Sequence, residues 1–161
     1  MTFSPQSKIW VYQSNRKFTE TEQSEIQQKL DEFTGQWKAH GHQLKAKAEI
    51  RYGFFIILVV DQDQASATGC SVDASVRVIK EIEDQYHVDL FNRFNMAYKI
   101  NEEVHVVPKE DFETLISIKK INLDTIVFNN LVQDLEEFNT KWEVPLHQSW
   151  HKNIFAEFLN S

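Results

Sequence analysis

The chain contains one cysteine, Cys70, in the stretch "SATGCSVDASV", and two closely spaced histidines, His40 and His42, in "AHGH". Helical spacing begins just after Cys70, with the helix start at Thr68 or Ser71. In either case the thiol sits at a helix N-terminus, where exposed amides and the macrodipole favour the reactive thiolate. A cysteine nucleophile with His40 or His42 as base and an orienting carboxylate from Asp61, with Asp63 and Asp73 also nearby, would suit acyl or thiol transfer. The same helix start, with Thr68, Gly69, Ser71 and Asp73, is a candidate anion-binding loop. Ser14, Asn15 and Arg16 precede another helix and form a second candidate for a carboxylate or phosphate. Each feature also has a plainer role: Cys70 as a small space-filling residue, His40 as a cap on a helix C-terminus, Ser14 to Arg16 as turn chemistry. His40, His42, a carboxylate and the thiolate have the donor chemistry of a zinc site. Two histidines one residue apart arise readily by chance, however, so neither a metal nor a cofactor is expected. His147 and His151 are spaced i,i+4, but a helix capped by Ser149 would leave His147 outside it.

These residues depend on the elements that hold them. "KIWVYQS" (8–14) places Ile9 and Val11 on one face and Trp10 and Tyr12 on the other, as in a strand buried on both sides. Thr19, with Glu22 three residues on, forms a capping box, and Ile26, Leu30, Phe33 and Trp37 continue at helical spacing towards a stop at Gly41. "LKAKAEIRY" alternates strictly and predicts an edge strand, whereas "FFIILVVD" is apolar on both faces and predicts a central one. A hairpin at Gly53 joins them. Val72, Val76, Ile79, Ile82 and Tyr86 mark a second long helix. "RFNMAYKI" (93–100) again alternates like an edge strand, with "VHVVP" as its short partner.

The order β-α-β-β-α-β predicts an α+β protein with a ferredoxin-like antiparallel sheet, in which the first and third strands are central. That topology sends the loop before the second helix and the loop after the first helix to the same end, which would bring Cys70 towards His40 and His42. The helices cover one face of such a sheet only, and Trp10 and Tyr12 are expected to point out of the other. Residues 8–107 form this core. Residues 108–161, with helices near 109–120, 134–142 and 149–159 and a strand at 124–132, are expected to cover the second face within a single domain spanning 1–161; a homodimer is the other candidate cover.

At 161 residues and 42% apolar composition the chain is long enough for one well-filled core. The formal net charge of −7 speaks against nucleic acid, which needs Lys and Arg for phosphate contacts. Residues 1–52 nevertheless hold eight basic and six acidic side chains, with Lys38, Lys45, Lys47 and Arg51 close together. The start lacks the apolar stretch of a signal peptide, and the longest apolar run, Phe54 to Val60, is far short of the ~20 residues of a membrane span. With a single cysteine no internal disulfide forms, so a cytoplasmic location without a membrane partner is expected. No G-x-x-x-x-G-K-[ST], G-x-G-x-x-G or H-E-x-x-H is present.

"WVYQSNR", "KAHG", "GCSVDASV", "FNNLV" and "SWHK" together resemble a family of small, uncharacterised bacterial proteins, chiefly from Bacteroidetes, that often carry the label ABC transporter ATPase. The resemblance runs through nearly the whole chain and implies a bacterial protein; it brings no catalytic residues with it. An ABC ATPase wraps phosphates in a Walker A loop, which this sequence lacks, so ATP hydrolysis is not expected. The expectation is a non-enzymatic module that binds a small molecule or a partner protein, with a Cys70-dependent enzyme as the alternative.

Overall fold

The computed structural model describes residues 2–62 and 67–160. Lys8–Gln13 (β1) leads to Glu20–Gln36 (α1), which opens with the expected capping box: Thr19 Oγ1 accepts from Glu22 N, and the Glu22 carboxylate accepts from Thr19 N. The helix ends at Gln36, before Gly41. Trp37 turns into extended geometry and packs on Trp10 and Phe33, while the Gln43 carboxamide donates to Thr34 O and Trp37 O. A side chain from beyond the helix thus satisfies carbonyls that another turn would have used. Lys38–Ala39 (β2) and His42–Gln43 (β3) form a small hairpin with His40 and Gly41 at its tip, at φ 51° and 78°. Two successive positive φ values are what a type I′ turn requires. His40 is therefore a turn residue and not a helix cap.

Lys45–Arg51 (β4) and Phe55–Asp61 (β5) complete an antiparallel sheet of order β1-β5-β4, with β4 at the edge and β5 fully buried, as the alternation predicts. Gly69–Tyr86 (α2) starts from Thr68, whose side chain accepts from Ser71 N while the Ser71 hydroxyl accepts from Thr68 N. Ile26 and Leu30 of α1 and Ile79 and Ile82 of α2 meet Ile56 and Leu58 on one face of the sheet. Trp10 and Tyr12 pack on this helical side, and Ile9 and Val11 face away, the reverse of the sequence expectation.

Asn95–Ile100 (β6) does not extend the first sheet beside β1, where a ferredoxin-like arrangement would put it. With Glu103–Pro108 (β7), Ile126–Phe128 (β8) and Glu143–Pro145 (β9) it forms a second antiparallel sheet of order β7-β6-β8-β9. The α+β class holds, with several antiparallel sheets instead of one. The apolar row Ile9, Phe55, Ile57 and Val59 has to be buried, and the second sheet lies under it with Ala97, Phe128, Val104 and Val106. The near edge of β1 is occupied by another segment: Ile9 N donates to Gln133 O and Leu135 N to Ser7 O.

The expected cover from residues 108–161 is therefore shared. Phe138 of Leu135–Lys141 (α4), together with Val132 and Trp142, joins β6 and β8 between the sheets. Lys109–Ser117 (α3), His151–Ile154 (α5) and Ala156–Leu159 (α6) instead cover the outer face of the second sheet, where Phe112, Ile116 and Phe155 meet Met96, Tyr98 and Val127. The order of layers is helices, sheet, sheet, helices. Trp142 stacks on Phe138 with ring centroids 4.7 Å apart and meets Phe55 and Phe128 at 4.9 Å each, which locks the two sheets together. Among the described residues no helix is long and apolar enough to cross a membrane.

Candidate functional site

Cys70 is exposed and shares a shallow depression with His40, Trp37, Thr68, Gly69 and Ser71. The turn of the β2–β3 hairpin and the start of α2 are thus neighbours, as the loop argument expects. The rest of the proposed constellation is dispersed. His42 is exposed on β3 outside the depression. Asp61 is buried at the end of β5, where it accepts from Ser4 N at 3.1 Å and pairs with Lys45 at 3.4 Å. Asp73 is exposed on the flank of α2, and Asp63 lies outside the described residues. Thr68 and Ser71 spend their hydroxyls on each other's backbone amides. Among the described residues no group of three His, Cys, Asp or Glu could hold a metal ion.

Ser14, Asn15 and Arg16 act as a fastener. Ser14 Oγ donates to Arg16 O at 2.6 Å, and Asn15 exchanges two bonds with the backbone of Asp89. The Arg16 guanidinium grips both Glu22 oxygens at 2.8 and 2.9 Å and donates to Tyr86 O, tying the start of α1 to the end of α2. This bidentate pair, with the Thr19 amide, holds the Glu22 carboxyl down at about 2. Three of the four basic side chains of residues 38–51 are likewise occupied: Lys45 reaches Asp61 and Thr2 O, Lys47 lies over Phe3, and Arg51 meets Glu49 and the Phe138 ring.

A more enclosed cleft lies elsewhere, in the wedge between β1 and β6. Because β6 dips into the second sheet, the two strands part, and their gap encloses about 460 Å³. Val11, Tyr12, Met96 and Ala97 line it from the two strands, and Phe128 and Trp150 from the elements beyond. Phe91, Phe94, Leu131 and Ile154 stand at its mouth, exposed to 38, 70, 65 and 55% of their area. Exposed large apolar side chains around one opening are the usual mark of a binding surface.

Polar groups are set into this apolar wall at defined points. Gln13, at the end of β1, spans the wedge: its Nε2 donates to Asn95 O at 3.0 Å, and its Oε1 accepts from Asn130 Nδ2 at 2.9 Å. Asn130 Oδ1 in turn accepts from Trp142 Nε1 at 2.9 Å, so a chain of amides runs from the cleft to the inter-sheet aromatics. His151 is 1% exposed, and its Nδ1 lies 2.7 Å from Ser149 Oγ. Burial lowers its pKa to about 3, so the imidazole is neutral at physiological pH. Trp150 stacks on it with ring centroids 3.7 Å apart. The two charged side chains of the lining, Arg93 and Lys109, are both cationic, and neither makes an ion pair among the described residues.

None of these cleft residues was marked by the usual signals, because five separate segments contribute them. Two traces exist in the sequence: the polar pair Asn129–Asn130 ending an apolar run, and His151 in "SWHK". The i,i+4 pairing of His147 with His151 misleads, since His147 is exposed and lies 3.9 Å from Asp124. No family model matches the chain, and no curated protein and no solved structure matches it significantly.

Proposed function

We propose that the chain is a small-ligand-binding module and that the cleft between β1 and β6 is its site. The observation that carries this reading is the coincidence, in one enclosed wedge, of an apolar wall, converging buried polar groups and exposed apolar side chains at the mouth. Its volume of about 460 Å³ falls within the range of ~300–1,000 Å³ common for small-molecule sites. With this reading go a cytoplasmic location, argued from the lone cysteine, one folding unit for the whole chain, membership of the bacterial family it resembles, and binding without ATP hydrolysis. A homodimer has lost one support, because the sheet face that it was invoked to cover is buried within the chain.

A second reading has one observation of its own: Cys70 and His40 share a depression, which keeps a cysteine-dependent enzyme in view. Ligand-observed NMR screening of a fragment library separates the two. Hits are expected to disappear in Ile154→Trp, which fills the mouth of the cleft, and to persist in Cys70→Ser. Hits that survive Ile154→Trp and vanish in Cys70→Ser would overturn the cleft reading.

A further inference from the structure

We infer that the ligand of the β1–β6 cleft is an amphipathic carboxylate: an apolar body of medium length with one anionic head. The inference rests on the cleft being the binding site. Three observations point to this chemistry. First, the chain carries a net charge of −7, yet among the described residues the lining has no acidic side chain and two basic ones, Arg93 and Lys109. A cationic opening in an acidic molecule attracts an anion and repels a cation. Second, the walls offer aliphatic and aromatic surface, with Tyr12 and Phe91 already edge to face at 5.4 Å, so the bulk of the ligand is apolar.

Third, His151 supplies a fixed polar contact in a side chain that is 1% exposed. Its Nδ1 is taken by Ser149, and Nε2 has no partner among the described residues. In the tautomer in which the Ser149 hydroxyl donates to Nδ1, the imidazole proton sits on Nε2. A neutral ring that donates from Nε2 accommodates a carboxylate oxygen without the cost of burying a second charge. The guanidinium of Arg93 and the ammonium of Lys109 in the same lining supply the opposite charge for the head, and the apolar walls take the tail.

Isothermal titration of the full chain with decanoate, decanol and decyltrimethylammonium tests the inference. The expected result is saturable one-to-one binding of decanoate, with decanol and the ammonium weaker by about tenfold or more. Arg93→Gln and Lys109→Gln, both at positions outside the core, are expected to weaken decanoate several-fold each and to weaken decanol by less. Equal binding of decanoate and decanol, both lost in Ile154→Trp, would overturn the anionic head and leave the cleft reading standing. Stronger binding of the ammonium would also overturn it. If none of the three binds while fragment hits still map to the cleft, the ligand class is wrong; if no fragment maps there either, the cleft reading fails with it.

Discussion

At the scale of single residues, the strongest determinants are polar groups placed where water does not reach. His151 has an ordinary value of 6.5 and a folded value of about 3, so between these the unfolded chain takes up a proton that the folded chain refuses. Its contribution is complete above pH 6.5 and declines as pH falls towards 3. Urea unfolding at pH 7 and pH 5 is expected to show a loss of about 1 kcal/mol per pH unit that His151→Gln abolishes. Glu22 acts later in the same direction: its carboxyl is held at about 2 against an ordinary 4.5, so stability due to the Arg16 pair is lost below pH 4.5. Arg16→Ala is expected to flatten that acid limb and to cost about 1–2 kcal/mol at neutral pH, through its bonds to Glu22 and Tyr86 O. Asn130→Leu leaves the Trp142 indole N–H and the Gln13 carbonyl without partners, at an expected cost of about 1–3 kcal/mol by the same unfolding assay.

At the scale of elements, turn geometry and capping decide where each piece begins and ends. The β6–β7 hairpin turns on Asn101 and Glu102, at φ 51° and 67°. Glu102→Gly suits the left-handed backbone and is expected to raise the melting temperature, by about 0.5–1 kcal/mol of stability. Elements governed by local pattern were legible in the sequence: Thr19 and Glu22, the alternation of β4, the double-sided β5 and the later part of the α2 stripe, Ile79, Ile82 and Tyr86, appear where expected, whereas Ser71 and Ser75 replace Val72 and Val76 as the buried residues of its first turns. The end of α1 was not, because Gln43, well beyond the helix, supplies the stop. Nor was the place of β6. Lys99 suggested a wet face, yet its side chain is only 14% exposed, with the ammonium held 2.6 Å from Glu143 Oε1 and over the Tyr52 ring. A lysine neutralised by a residue 44 positions away hides a buried strand from any local reading.

At the scale of the whole molecule, the site follows from the departure of β6 from β1. A single four-stranded sheet would close that edge with backbone hydrogen bonds; two stacked sheets leave a wedge that the Gln13 side chain bridges. The same stacking joins the halves of the chain through Trp142, and Trp142→Ala is expected to cost about 3–5 kcal/mol. One folding unit predicts coincident unfolding by fluorescence and far-UV circular dichroism, before and after that substitution. The cleft itself was illegible because its lining comes from β1, the 90–95 connection, β6, the start of α3, the end of β8 with the turn after it, and α5 with the residue before it, which the tertiary fold brings together. The depression at Cys70 was legible in part, since it depends on two loops at one end of the first sheet. The most direct test of the cleft is an amide chemical-shift titration of the isotope-labelled chain with decanoate. Shifts are predicted to gather at residues 11–13, 90–97, 109, 128–131 and 150–154, with 37–40 and 68–74 unmoved. Shifts centred on Cys70 and His40, with the wedge silent, would contradict the account.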